Sequence, residues 1–273
     1  SGLFMREQTW YWEPAVRPEI AAEGKQLLID DVNSLSAAAL AAGADELIVC
    51  DTHHGGGNIV LERMLQDPRI TYLGRSVGDD GGERRWMPGL DRSVDAFMLP
   101  GHHAKAGTPN AFLPHTSSLA WADFRINGQS VGEMGIESCF AAHWDVPLIF
   151  AQGDAAGCAE AEEQFAGVVT ACVKRARSRD FAEGLDAAEA RQLTASKATE
   201  AIARARAAKP SPFKPTLPMT VTVQLTTVAE AEKVASRPGV RRVDDLTVEG
   251  IAERHCDVLR WLNGTGLNMA PRA

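Results

Sequence analysis

The chain has 273 residues and carries 28 Lys+Arg against 36 Asp+Glu, a formal net charge of −8. That balance excludes a phosphate-tracking nucleic-acid binder and a protein that docks on anionic membrane, both of which want a basic face. Hydrophobic residues make up 45% and mean hydropathy is −0.17, enough for a packed core. At roughly 150 residues per domain, this length allows one large domain or two small ones.

Taken in order, Ser1 to Val16 is aromatic-rich and irregular. Pro18 suits the first turn of a helix, and apolar positions from Ile20 to Leu40 recur at helical spacing up to Gly43. Glu46 to Asp51 reads as a buried strand that empties into Asp51-Thr52-His53-His54-Gly55-Gly56-Gly57. A short helix over Ile59–Leu65, a strand over Ile70–Leu73 and a Gly- and charge-rich loop over Gly78–Gly89 follow. Ala96 to Leu99 is a strand that empties into Pro100-Gly101-His102-His103. Asn127-Gly128 predicts a type I′ hairpin over 124–131, and Gly132-Glu133 then opens a helix through Trp144.

Further on come a strand from Pro147, a helix over about 158–165, a strand over 168–173 and an Ala-rich helix over 187–208. Pro210, Pro212, Pro215 and Pro218 form a stiff linker. Beyond it are a strand at 220–225, a helix at 229–235, a strand at 243–248 and a closing helix at 251–262. The alternation predicts an α/β fold, a three-layer αβα arrangement with a mostly parallel sheet plus a smaller C-terminal α/β lobe. The expected division is residues 1–209 as the main α/β region, 210–218 as linker and 219–273 as the lobe.

Five scattered cysteines without a Cys-x-x-Cys pair read as reduced thiols of a cytoplasmic protein. The histidines are more informative. Five of the seven lie between positions 53 and 115, and four of these form the doublets His53-His54 and His102-His103. Both doublets follow the carboxyl end of an apolar strand, the edge at which open α/β sheets bind ligands. Glu133, at a helix start, belongs near the same rim. His and Glu together suit Zn²⁺ or another divalent ion. A lone strand-end histidine is ordinarily a packing residue, and the spacing lacks a short-range metal signature such as His-Glu-x-x-His. Without a Lys-Ser/Thr pair, Gly55 to Gly57 is not a phosphate-binding loop. His115, in a Pro/Ser/Thr loop, is a candidate acid–base group. His143 and His255, both expected within helices, read as packing or surface residues.

Four stretches resemble the zinc-dependent D-aminopeptidase family. Asp51-Thr52-His53 is similar to its Asp-Ser-His strand end. Gly101-His102-His103-Ala104-Lys105-Ala106-Gly107-Thr108-Pro109 is similar to its Gly-x-His-Ala-Arg/Lys-Ala-x-Thr-Pro segment. Ile126-Asn127-Gly128 with Val131-Gly132-Glu133-Met134-Gly135, and Asp145-Val146-Pro147 with Gly153-Asp154, match two more. The match covers the chain to about residue 205 and fades beyond it. The resemblance implies that His53, His103 and Glu133 bind metal and that His115 is catalytic. It implies a site for two zinc ions, a short peptide or amide substrate, and a homo-oligomer, in the family a ring and here expected as a decamer. One departure stands out. The family's remaining ligands come from an Asp-x-Glu-Gly segment on a first strand, and Ser1-Gly2 resembles only its tail, so either that pair lies upstream of Ser1 or this form holds less than the full two-zinc site. The expected function is a dizinc aminopeptidase acting on peptides with D-amino acids. Rival expectations are an amidohydrolase of the same fold acting on another small amide or lactam, and a non-catalytic binding protein.

Overall fold

The computed structural model describes residues 18–52, 57–73, 87–260 and 262. Helix α1 (Pro18–Ala41) opens on its proline, and Gly43 takes a positive φ of 99° just past its end. Its apolar stripe, including Ile29, Leu35, Ala39 and Leu40, is buried. Strand β1 (Leu47–Cys50) pairs in parallel with β2 (Ile70–Leu73), Leu47 opposite Ile70. The helix expected over Ile59–Leu65 shrinks to one 3₁₀ turn at Leu61–Arg63. There the Asn33 side chain takes the Leu65 N–H (2.7 Å) and donates to the Arg63 carbonyl (2.8 Å), so the backbone is held from outside. The expected loop at 78–89 lies outside the described residues up to 86.

The central sheet has the order β3 (Phe97–His102), β6 (Leu148–Asp154), β7 (Val169–Ala176), β8 (Ala182–Gly184). The first three strands are parallel, and the short β8, which sequence periodicity did not indicate, is antiparallel. Every residue of β6 is buried, as expected of a strand covered on both faces. Ile149 and Phe150 face a cluster with Leu35, Ala39, Ala198 and Ile202, that is, α1 and α4 (Ala187–Ala207). Leu148 and Ala151 pack with Met134, Ala141, Ala161 and Phe165, from α2 (Glu133–Ala142) and from α3 (Ala155–Gln164) with its C-cap. Helices thus cover both faces of one sheet, and the three-layer αβα reading holds.

A second sheet is wholly antiparallel, in the order β10 (Arg241–Arg242), β11 (Thr247–Ala252), β9 (Met219–Leu225), β4 (Trp121–Ile126), β5 (Gln129–Ser130). The expected hairpin is there, with φ of 50° at Asn127 and 82° at Gly128. Val223 sits opposite both Phe124 and Val248, and all three are fully buried. The chain beyond the linker therefore builds no sheet of its own, because β9 hydrogen-bonds to β4. The linker is tied down as well: Asn127 Nδ2 donates to Thr216 O (2.9 Å) and Thr220 N–H to Asn127 Oδ1 (2.8 Å).

The C-terminal expectations need correction. The strand runs over Thr247–Ala252 rather than 243–248, and a single 3₁₀ turn at His255–Asp257 replaces the helix over 251–262. Asp244 Oδ1 accepts the N–H groups of Leu246 and Thr247 (both 2.8 Å) and turns the chain there. Val248, Gly250 and Ala252 then bury alternately, the period of a strand.

Helix α2 lies between the two sheets. Met134 through Ala142 are all buried, with Ile136, Cys139 and Phe140 in the core of the antiparallel sheet and Met134 and Ala141 in that of the central one. A helix with apolar residues on two opposite flanks belongs in such a position, and its remaining face carries Glu133 and Glu137.

Candidate active site

The site forms where β3 ends. Gly101 takes a φ of 77° and donates its N–H to the buried Gln152 side chain (2.9 Å). A Cβ on Gly153 of the neighbouring strand would overlap the His102 carbonyl oxygen, so glycine permits this close approach. One residue further, His102 and His103 diverge. His102 Nε2 donates to Glu137 Oε2 at 2.8 Å, whereas His103 Nε2 faces Glu133 Oε2 at 3.6 Å.

The loop after β3 doubles back to bring His115 beside His103. Its N–H donates to the Ala104 carbonyl (3.3 Å), and Ala106 N–H donates to the Thr116 hydroxyl (3.1 Å). From below, Lys105 N–H donates to Glu160 Oε2 (2.8 Å), and Phe112 N–H to Asp154 Oδ2 (2.9 Å). Burial pushes the Glu160 carboxyl up, although the Lys105 N–H and the cations facing it pull the other way. Asn110, Leu113 and Ser117 adopt left-handed backbone, with φ of 54°, 48° and 53°. For leucine this conformation is a true outlier, and such strain persists only where surrounding contacts hold it.

The two imidazoles stack, with centroids 3.7 Å apart and planes 18° from parallel. His103 Nδ1–H donates to Ala104 O (3.0 Å) and His115 Nδ1–H to Leu113 O (2.8 Å). A carbonyl can only accept, so each ring carries a proton on Nδ1 and turns Nε2 toward Glu133. Glu133 starts α2, where the helix dipole favours its charge, and its Oε1 accepts the Ser117 N–H at 2.6 Å. The distance from His115 Nε2 to Glu133 Oε1 is 3.8 Å.

Electrostatics reflect this convergence. Burial works against charge on Glu133, yet His103, His115 and His102 hold its carboxyl well below the usual range. Burial likewise opposes a charged His103, and Glu133 overrides it, so the imidazole is raised. His102 is pushed up to about 9, the Glu137 carboxylate outweighing desolvation.

His103, His115 and Glu133 each offer a ligand atom, and those atoms lie within 4.8 Å of one another. Nδ1 protons held by carbonyls and Nε2 atoms aimed at one carboxylate are the arrangement that metal-ligating histidines adopt, so these residues fit a divalent ion. The structure thus brings together three of the four residues singled out from the sequence. The fourth, His53, lies outside the described residues, as do His54, Gly55 and Gly56. Thr52, which precedes His53, is described, and its hydroxyl donates to Glu137 Oε1 (3.2 Å).

Glu137 is the residue that sequence reading missed. It is only 1% exposed and joins the exit of β1 to the exit of β3. Its signal was its position four residues after Glu133, on the same face of one helix. His143 and His255 are indeed structural. His143 caps α2 and meets Trp144 edge-on (4.8 Å), and the buried His255 donates from Nε2 to Pro215 O (2.8 Å). The latter sits in a 3₁₀ turn rather than the expected helix.

An open cleft of about 640 Å³ adjoins His115, between the loop at 106–111, the start of β4 and the turn after β7.

An αβα layer with a His/His/Glu cluster at the carboxyl edge of its parallel strands defines a hydrolase-type α/β protein with a candidate metal centre. The model of the D-aminopeptidase family, Peptidase_M55, matches residues 12–264. The chain belongs to this family of peptide-bond hydrolases, and the match runs well past residue 205, where the motif resemblance fades. A D-aminopeptidase of Bacillus subtilis (strain 168) is 28% identical over 218 residues, covering 79% of this chain and 76% of that one. The fold is that of a structure described as the Zn-dependent D-aminopeptidase DppA from Bacillus subtilis, a self-compartmentalizing protease. The TM-score is 0.82 at 24% identity, covering 95% of this chain and 92% of that one.

Proposed function

We propose that this protein is a zinc-dependent aminopeptidase that removes the N-terminal residue, D-configured, from short peptides. The observation that carries the reading is the convergence of His103, His115 and Glu133 donor atoms within 4.8 Å at the sheet edge. His103, Glu133 and His53 are the proposed ligands, and His115 is the proposed acid–base residue. Bound zinc, as one ion or as a pair, polarises a scissile carbonyl and acidifies water. His115 Nε2 takes a proton from the attacking water and delivers it to the leaving amine as the C–N bond breaks. Leu113 O keeps the other ring proton on Nδ1 throughout, so the ring works from one nitrogen. Glu137 is the proposed positioning residue, holding His102 and Thr52 beside the two histidine ligands.

A second role for His115 is favoured by its distance from Glu133: it also suits a metal ligand. Metal content of His115→Ala separates the two roles. Retained metal with lost turnover assigns acid–base work, and lost metal assigns ligation.

A homo-oligomeric ring with sites facing an internal channel, expected as a decamer, fits the self-compartmentalizing description of the structural relative. A cytoplasmic location fits five free cysteines. Among the described residues, no helix is long and apolar enough to cross a membrane. The experiment is metal analysis with hydrolysis of D-Ala-D-Ala, L-Ala-L-Ala and a panel of small amides and lactams. Bound zinc and preferential turnover of the D-peptide are expected. No bound metal and no turnover of either peptide would overturn the reading. Turnover confined to the panel assigns the amidohydrolase alternative.

A further inference from the structure

The chain is acidic overall, yet Lys174, Arg175, Arg177 and Arg179 fall within six residues. The run leaves β7 at its carboxyl end and turns back toward β8. Arg177 and Ser178 both donate their N–H to the Phe181 carbonyl, at 2.8 and 3.1 Å. The cations are not equivalent. Lys174 Nζ stands 4.8 Å from the centroid of the Phe112 ring. Arg177 is paired with Glu183 through Nε (2.7 Å) and Nη2 (2.6 Å). The Arg179 guanidinium has no hydrogen bond or ion pair with any described residue, and its backbone carbonyl alone is engaged, by Leu113 N–H at 2.7 Å.

Leu113 links this turn to the site. Its N–H bonds to Arg179 and its carbonyl accepts from His115 Nδ1, so a single residue separates the hairpin from the candidate acid–base group. Arg177 and Arg179 line the same cleft as His115. Pro109, Trp121 and the half-exposed Leu119 provide apolar lining. The cleft is thus open, partly apolar, adjacent to His115, and has one guanidinium on its wall without a described partner.

Resting on the aminopeptidase reading, the chemistry of that wall can be specified. An aminopeptidase holds the substrate amine on one side of the scissile bond and the leaving residue on the other. In a dipeptide, the leaving residue ends in a carboxylate. A guanidinium presents a planar fork of donors that matches a carboxylate in a bidentate manner. We propose that Arg179 anchors the free C-terminal carboxylate of a short peptide, and that the enzyme thereby selects di- and tripeptides with a free acid over capped or longer chains. The apolar lining receives the small side chain of the leaving residue.

The test compares D-Ala-D-Ala with its C-terminal amide, using the metal-loaded full chain as wild type, Arg179→Ala and Arg179→Lys. Wild type should favour the free acid by about ten-fold or more in kcat/KM, mainly through KM. In Arg179→Ala that ratio should collapse toward one, and Arg179→Lys should recover part of it, since ammonium keeps the charge without the fork. The backbone bond to Leu113 survives either substitution. Equal rates on acid and amide in wild type would overturn the proposal while leaving the aminopeptidase reading intact. So would an equal loss on both substrates in Arg179→Ala, and a change in oligomer mass would then assign the basic turn to a subunit contact. If neither substrate is turned over, the aminopeptidase reading fails, and calorimetric binding of D-Ala-D-Ala decides the anchor. Binding that Arg179→Ala abolishes keeps it, and no such binding overturns it.

Discussion

The mainly parallel sheet and the antiparallel sheet use their side chains in opposite ways. In the parallel sheet, strand ends carry polar groups: His102 on β3, Gln152 and Asp154 on β6, Lys174 on β7. In the antiparallel sheet, β4 and β9 meet through Phe124, Val221 and Val223, which are fully buried. The difference follows from connectivity. Parallel strands all release the chain at one edge, so their exit loops gather there. Antiparallel strands alternate ends, and short turns such as Asn127-Gly128 close them without collecting anything. Helix α2 draws on both regions: its flanks pack on the two cores while Glu133 and Glu137 reach the parallel edge.

That contrast predicts separable effects. The largest belongs to the parallel edge. His115→Ala should lower turnover by about 10²–10⁴-fold while thermal stability and metal content stay near wild type, checked by steady-state kinetics, calorimetry and metal analysis. Next comes the antiparallel core. Phe124→Ala should cost about 3–5 kcal/mol of stability, read from denaturant unfolding. Zinc affinity of the folded variant should nonetheless remain within about two-fold, since the Phe124 ring packs in the antiparallel core and its backbone bond to Val131 survives the substitution. Weakened zinc binding in that variant would break the separation and show that α2 transmits core packing to Glu133.

Between the two regions, Glu137→Gln should reduce zinc affinity by about 10–100-fold, measured by competition with a chelator. The unfolding midpoint, followed in parallel, tells lost positioning from general loosening. The smallest effect is at the hairpin. Gly128→Ala forces a side chain into left-handed backbone and should cost about 1–2 kcal/mol, with kinetics unchanged. A large kinetic effect there would tie the hairpin to placement of Glu133.

Much of this was legible locally. Pro18 and Gly43 bracketed α1, Asn127-Gly128 announced the hairpin, and the apolar runs before His53 and before His102 marked strands whose ends matter. The Leu65 region and the C-terminus misled because apolar spacing there fits two periods. Asn33, from α1, and the Asp244 turn decided between them. In the site, strand-end positions pointed to the two histidine doublets, a helix start to Glu133 and a Pro/Ser/Thr loop to His115, whereas only the family resemblance singled out His103 within its doublet. The neighbour His102 turns away from them, toward Glu137.

What residues within a few positions of one another impose was therefore set by the chain itself: helix ends, turn types, strand exits and an overall acidity. Tertiary structure alone decided the pairings. Glu137 meets His102 across 35 residues and Thr52 across 85, and β9 joins β4 past a proline-rich linker. Local propensity acts over one or two turns, whereas these contacts depend on how buried faces stack, which no spacing in the sequence encodes. The same stacking sets Arg179, whose guanidinium meets no described partner, on the wall of the cleft that His115 lines, within a chain whose net charge is −8.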